Sequence, residues 1–202
     1  MKICFVVRSV HNQQPNYTTT HLAFEAYKRG HKVVYTSINS FAYTNDQLIR
    51  ATGVSPGYEG LETRQQFLDA VQGDFAHREE VCLTKFDVVF LRYNPNESEG
   101  EKDRAKNPAL EFGRLLKAHG VLVVNDPAGL SRAASKMYLC TLPPEIRAKT
   151  LITRSTHKIK EFLKELRKPA IIKPLSGFGG QDVFFIKNIR DTNINQIISA
   201  VS

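Results

Sequence analysis

The chain has 202 residues, enough for one large domain or two small ones with a buried core. No apolar run approaches the ~20 residues of a membrane span, and the three scattered cysteines and six histidines form neither a disulfide framework nor a metal-ligand pattern. The net charge is +8, and residues 151–202 hold nine Lys or Arg against four Asp or Glu. We therefore expect a cytoplasmic protein with free thiols, no membrane partner and a basic C-terminal quarter.

Residues 1–40 have the pattern of a β-α-β unit. An apolar strand over residues 2–7 ends in a polar loop, residues 18–29 have helical periodicity and end at Gly30, and residues 31–38 predict the next strand. Such a unit places the loop after the first strand at the edge of the sheet where α/β proteins bind ligands. Residues 40–84 contain turn signals and one predicted helix near Leu61–Val71, and they suggest no function.

Residues 85–125 continue the predicted sheet. A strand is expected over residues 86–91, a helix over residues 108–119 and a further strand over residues 121–124. Arg92 ends the first of these strands at the ligand-binding edge, where a guanidinium pairs well with a carboxylate. A surface salt bridge would explain Arg92 equally well. We predict an open parallel-sheet α/β domain over residues 1–125.

The character of the sequence changes after Asn125, and we predict a second domain over residues 126–202. Asp126-Pro127 marks a turn at its start. The expected elements are a helix over Leu130–Cys140, a short strand at Leu151-Ile152, a helix from the N-cap Ser155 to Leu166, and a last helix from Asp191 to Val201, capped by Thr192.

The most informative segment is a glycine-rich loop between two short apolar runs. Lys173 ends the first run, Gly177, Gly179 and Gly180 surround Phe178, and a β-rich run follows. Glycines let backbone N–H groups approach a bound anion, and a lysine adds positive charge beside them. The lysine precedes the glycines and no helix follows them, so the pattern is neither a Walker loop nor a Rossmann fingerprint. It suggests a clamp on nucleotide phosphates, with a plain glycine-rich hairpin as the alternative.

Strand, glycine loop and strand with an upstream lysine resemble the ATP-grasp ligases. Residues 122–130, Ser135-Lys136-Met-Tyr and Thr150-Leu-Ile-Thr-Arg154 resemble bacterial glutathione synthetases, and residues 1–7 and 87–92 are similar to the preceding domain of that family. The resemblance implies an α/β fold: an open parallel-sheet pre-ATP-grasp domain, followed by the first subdomain of an α+β ATP-grasp unit.

The resemblance also implies roles for particular residues. The nucleotide phosphates would be held by Lys136 and Lys173, under a flexible flap formed by Gly177, Phe178, Gly179 and Gly180. The acceptor substrate would contact Arg92, Asn125 and Asp126. Catalytic residues, magnesium ligands and the adenine-binding hinge belong to a second subdomain of the family, and no residues of this chain correspond to them.

The reaction implied is the ATP-dependent ligation of γ-glutamylcysteine and glycine through an acyl phosphate, with Mg²⁺ as metal. We expect the 202 residues to be a truncated, inactive part of such an enzyme, with a naturally short relative as the alternative, and to form a homo-oligomer. Ser176 and the run Arg92-Tyr-Asn-Pro-Asn96 depart from the family pattern, so another amino-acid acceptor stays open.

Three other functions remain open from the sequence: a glutamate-adding ATP-grasp ligase, a nucleotide-binding domain without chemistry, and a nucleic-acid-binding protein. The last is disfavoured, because the lysines and arginines near residues 158–168 fall on the polar face of an amphipathic helix, which is ordinarily a solvated surface. We therefore expect small-molecule partners and no nucleic acid.

Overall fold

The structure is a computed structural model that describes residues 1–95, 108–175, 179–187, 190 and 193–201. The described part divides into two compact units, residues 1–131 and residues 132–202. The boundary expected between residues 125 and 126 stays a prediction.

Unit 1 contains a seven-stranded mixed sheet. Its strands are β1 (Lys2–Val7), β2 (Lys32–Ser37), β3 (Phe41–Tyr43), β4 (Ile49–Ser55), β5 (His77–Cys82), β6 (Val88–Leu91) and β7 (Leu122–Val124). The strand order is β3-β4-β2-β1-β6-β7, and β5 pairs with residues 50–55 of β4. The described helices of this unit are α1 (Thr18–Lys28), α2 (Arg64–Gln72), α3 (Pro108–Ala118) and α4 (Pro127–Ala133).

Helices cover both faces of the parallel part of this sheet. Alternate residues of β1 point to opposite faces: Cys4 and Val6 pack with the α3 side, whereas Phe5 and Val7 pack with α1 and α2. β2, β1, β6 and β7 run parallel, which confirms the expected β-α-β unit and the strands near residues 88–91 and 122–124. Their carboxyl ends therefore lie side by side along one edge.

The sheet also has an antiparallel part that the sequence did not predict. β4 pairs antiparallel with β2, β3 and β5 and widens the sheet beyond the open parallel core. Among the elements of this region the sequence predicted only α2. At the N-terminus of α2 the Thr63 side chain accepts the Gln66 amide at 3.2 Å, and the Gln66 side chain in return accepts the Thr63 amide, forming a capping box.

Unit 2 is built around one antiparallel strand pair. Its described elements are β8 (Ala170–Ile172), β9 (Phe184–Ile186), α5 (Thr156–Leu166), α6 (Ile194–Val201) and two 3₁₀ turns, Lys136–Thr141 and Pro144–Ile146. Side chains from both helices and one face of the pair form a small core around Leu163, Ile186, Ile194 and Ile198. The N-cap predicted at Ser155 is confirmed, because its hydroxyl accepts the Lys158 amide at 3.4 Å.

Two predicted elements of unit 2 are wrong. No strand exists at Leu151-Ile152, because neither residue pairs with another strand among the described residues. The single helix expected over Leu130–Cys140 is two elements instead, α4 and the following 3₁₀ turn. Ser135 is extended and its hydroxyl accepts the Met137 amide at 3.2 Å, so a new turn starts there. The cap expected at Thr192 lies outside the described residues.

Candidate functional site

The glycine-rich loop connects an antiparallel hairpin, as the sequence predicted. β8 and β9 pair in the register Ala170–Ile186, Ile171–Phe185 and Ile172–Phe184. Lys173 directly follows β8 and is exposed. Gly179 and Gly180 adopt φ values of +65° and +79°, and a Cβ at either position would meet nothing within 4 Å. The backbone here has the left-handed conformation and the open space that an anion-binding turn requires.

The second predicted lysine lies at the same hairpin, although 37 positions separate it from the first in the sequence. The Lys136 amide donates to the Leu175 carbonyl at 2.9 Å, which fixes the start of the 3₁₀ turn against the end of the β8 segment. Partial burial lowers the pKa of Lys136, and the positive charge of Lys173 lowers it further. The positive charges of Lys136 and Lys173 therefore repel each other.

An anion placed at this hairpin would relieve that repulsion, since it interacts favourably with both charges. The charge of unit 2 acts in the same direction. Residues 132–202 contain thirteen Lys or Arg and five Asp or Glu, whereas residues 1–131 contain fifteen of each, so unit 2 supplies the whole net charge of +8.

The described residues contain no cluster of three His, Cys, Asp or Glu side chains that could hold a metal ion.

Gly177 and Phe178, the other two residues predicted to cover the phosphates, lie outside the described residues. The described part of the hairpin contains Lys173, Gly179 and Gly180, and Lys136 is joined to it through the backbone hydrogen bond to Leu175. Sequence reasoning did not identify Leu175, because a backbone carbonyl that anchors another segment leaves no signal in residue type.

Arg92, the first predicted acceptor-binding residue, lies at the carboxyl end of β6. Its amide donates to the Val6 carbonyl at 2.8 Å and its Nε donates to the Thr19 hydroxyl at 3.2 Å. Among the described residues, no Asp or Glu forms a salt bridge with its guanidinium. The surface salt bridge that could have explained Arg92 is therefore absent from the described part, and the guanidinium is oriented by a neutral hydroxyl. Thr19, at the start of α1, was not predicted.

Asn125 and Asp126 lie at the end of β7 on the same edge. The Asn125 Nδ2 donates to the Leu91 carbonyl at 3.3 Å, which ties the ends of β6 and β7 together. The Asp126 carboxylate accepts the Gly129 amide at 2.8 Å and pairs with Lys117 at 2.5 Å. The hydrogen bond from Lys117 holds the pKa of Asp126 below its usual range, helped by the Gly129 amide. Both side chains thus have structural partners, and for Asp126 those partners cap α4 and join it to α3.

Comparison with known proteins identifies the family. The family model for the N-terminal domain of prokaryotic glutathione synthetase matches residues 1–131, and the model for its ATP-grasp domain matches residues 135–202. The chain belongs to the prokaryotic glutathione synthetase family. The predicted resemblance is thereby confirmed, and so is the assignment to an ATP-grasp fold class.

Similar proteins include glutathione synthetases from Brucella melitensis biotype 1 and from Buchnera aphidicola. The first is 32% identical over 186 residues, which cover 90% of this chain and 53% of the relative. The second is 27% identical over 187 residues, which cover 90% and 51%. A crystal structure of a RimK domain ATP-grasp protein from Sphaerobacter thermophilus matches with a TM-score of 0.49 and 17% identity over 98% of this chain and 59% of that one.

The chain spans about half the length of the curated relatives it matches. No helix within the described residues is long and apolar enough to cross a membrane.

Proposed function

We propose that this chain contributes the nucleotide-phosphate clamp and part of the acceptor site to an ATP-dependent carboxylate–amine ligase. In this reaction a carboxylate oxygen attacks the γ-phosphorus of ATP and ADP departs. An amine then attacks the carbonyl carbon of the acyl phosphate and releases inorganic phosphate. Following its family, we propose γ-glutamylcysteine as the carboxylate substrate and glycine as the amine.

The observation that carries this proposal is the pair of lysines at the hairpin. In phosphoryl transfer, most of the catalysis comes from positioning and from neutralising charge on the phosphates. Lys136 and Lys173 supply two positive charges beside a turn whose glycines leave the backbone open to a ligand. Mg²⁺ would share that task in the family, but the described residues offer it no cluster of ligands, so we assign no residue to it.

For the acceptor, Arg92 is the residue we propose. Its side chain is half-buried at the carboxyl edge of the parallel strands, where such sheets bind ligands, and a hydroxyl rather than a carboxylate orients it. A guanidinium held this way can pair with a substrate carboxylate through two hydrogen bonds. We assign Asn125 and Asp126 only the supporting task of holding the end of β7 beside it. A cytoplasmic location and homo-oligomerisation stay predictions.

Calorimetric titration of the intact chain with ADP in the presence of Mg²⁺ tests the clamp. Lys173→Gln should weaken ADP binding by about tenfold or more, because a hydrogen bond to a charged group is lost. The matched control is Lys168→Gln. Lys168 lies two positions before β8, whereas Lys173 directly follows β8, so the control removes the same charge at the other end of the strand. We expect Lys168→Gln to change the affinity by less than about twofold, as a distant exposed charge does.

Equal weakening by the two substitutions would contradict the proposal, since it would show that ADP responds only to the overall charge of unit 2. Undiminished binding by Lys173→Gln would also contradict it. Proton nuclear magnetic resonance of each variant, showing unchanged dispersion, separates a lost contact from a lost fold.

A further inference from the structure

Unit 1 contains a cavity that the proposed ligase reaction does not use. It has a volume of about 290 Å³ and lies at the carboxyl ends of β1 and β2, on the side of the sheet covered by α2. That volume is at the lower end of the range of small-molecule sites, which suits a ligand of a few heavy atoms. Parallel strands commonly bind ligands at this edge.

Basic side chains contribute to the polar lining of the cavity. Two guanidinium groups and one imidazole line it, and they belong to Arg8, His11 and Arg78. Among the described residues that line the cavity there is no Asp or Glu. The guanidinium of Arg78 therefore offers a partner for an anion in the cavity.

The loop that carries two of these groups is held in place by the neighbouring helix. Gln72, the last residue of α2, donates from Nε2 to the carbonyls of Val10 at 2.8 Å, Gln13 at 3.0 Å and His11 at 3.3 Å. The Ser37 hydroxyl donates to the Arg8 carbonyl at 3.0 Å. One helix and one strand end thus fix the backbone of the β1–α1 loop before any ligand arrives, which reduces the entropy cost of binding.

The remaining wall is apolar. Val10, Val54 and Val71 contribute aliphatic surface next to the charged groups. A bare inorganic ion would leave that surface against water, whereas a short aliphatic stem would cover it. The two kinds of lining together specify an oxyanion group attached to a small apolar body.

We propose that this cavity binds a small aliphatic carboxylate, with Arg78 as a binding residue for its carboxylate group. Every described residue that lines the cavity lies in unit 1. No covalent step is involved.

Nuclear magnetic resonance titration of the ¹⁵N-labelled intact chain tests this site. Glutarate is the probe, and inorganic phosphate is the comparison that carries the charge without the stem. Glutarate should shift the amide signals of the residues around the cavity, namely Ser9, Val10, His11, Ser37 and Ser40. We expect phosphate to shift the same signals but to bind more weakly.

Arg78→Gln should weaken glutarate binding by about tenfold, the usual consequence of losing one charge-assisted hydrogen bond. Arg78 is exposed and its Nη1 donates to the Ala76 carbonyl at 3.4 Å, so the substitution should leave the fold intact. Arg29→Gln, at the other end of unit 1 beyond α1, is the charge-matched control and should leave glutarate affinity unchanged.

Three results would overturn the proposal. The first is the absence of shifts at the cavity with millimolar glutarate. The second is equal weakening by Arg78→Gln and Arg29→Gln, which would indicate attraction by overall charge. The third is tighter binding of phosphate than of glutarate, which would show that the site recognises the oxyanion without the aliphatic stem.

Discussion

The two units of this chain differ in how they are held together and in how they are charged. In unit 1, helices cover both faces of the parallel strands, and fully buried aromatic side chains such as Phe5, Tyr35 and Phe67 fill the core. In unit 2, only four described apolar residues are buried, and the outer face of the strand pair exposes Ile171 and Phe185 at 53% and 58%. Unit 1 is electrically neutral, and unit 2 carries the net charge of +8.

This difference separates two tasks. A deep core fixes the positions of side chains at a sheet edge, as with Arg92 and Thr19. A strongly positive surface attracts a polyanion. A small core leaves the hairpin with a low free-energy cost of local displacement. Unit 1 has equal numbers of acidic and basic residues, and some of them form ion pairs, for example Arg50 with Asp46 and Lys32 with Glu79. In unit 2, the pKa of Lys136 is lowered by partial burial and then by the positive charge of Lys173.

The largest expected effect compares one substitution in the two units. Phe67→Ala should lower the free energy of unfolding of unit 1 by about 3–5 kcal/mol, because Phe67 is fully buried among the rings of Phe24, Tyr27 and Tyr35. Phe185→Ala should lower that of unit 2 by about 0.5 kcal/mol or less, because its ring is exposed. Native-state amide exchange followed by nuclear magnetic resonance measures each unit separately.

Equal losses in the two variants would contradict the contrast between the cores. A large loss for Phe185→Ala alone would mean that another surface covers the outer face of the hairpin in solution. Ile171→Ala is the matched check on that outcome, since Ile171 is the cross-strand neighbour of Phe185 on the same face.

The sequence predicted those elements whose pattern is local. The parallel strands read as apolar runs because they are covered on both faces, and the hairpin was signalled by glycines between two short apolar runs. β4 and β5 were missed for the opposite reason. β5 is largely polar, with only Val81 fully buried, and it is recognisable as a strand only through its pairing with β4. Such pairing depends on distant residues rather than on local preference.

The candidate sites also depend on contacts between residues that are distant in the sequence. Lys173 and Gly179 could be proposed from their own neighbourhood in the chain. The Lys136 amide is bonded to the carbonyl of Leu175, 39 positions later, and the Arg92 guanidinium is bonded to Thr19, 73 positions earlier. For Lys136 the family resemblance provided what spacing could not. The cavity beside Arg78 had no sequence signal, because its lining comes from five separate segments.

A smaller expected effect tests whether Lys136 in unit 2 serves a ligand. Partial burial, and then the charge of Lys173, lower the pKa of Lys136 below the ordinary value for a lysine, so it should lose its proton at a lower pH than that value. If its charge holds a phosphate, ADP affinity should fall several-fold as the pH rises through this lowered pKa. Lys136→Arg should delay that fall, because a guanidinium stays protonated. Fluorescence titration with a labelled ADP analogue across the alkaline range measures both curves.

Superimposable pH profiles for the natural chain and Lys136→Arg would exclude Lys136 as the titrating group. Lys164→Arg, on α5, is the control, since this lysine is also in unit 2 and should leave the profile unchanged.

The smallest expected effect concerns a paired charge of unit 1. The pKa of Asp126 lies below its ordinary value of 3.8, chiefly through Lys117. A carboxyl whose pKa is lowered on folding contributes stability above its unfolded pKa and loses it as the pH falls through the folded pKa. Asp126→Asn should therefore destabilise unit 1 slightly at neutral pH and not at all at a pH below both values. The effect is small because the pair is solvent-exposed.

Acid unfolding of unit 1, followed by circular dichroism in Asp126→Asn, Lys117→Gln and the double variant, completes that test. The double-mutant cycle isolates the interaction between the two side chains, and its coupling energy should vanish at the acid end of the titration. Asparagine keeps an acceptor for the Gly129 amide, so the variant separates the charge from the cap. A coupling energy that persists when Asp126 is protonated would show that the pair is joined by packing rather than by charge. Unit 1 would then hold its sheet edge by shape alone, and its electrostatic contrast with unit 2 would need another explanation.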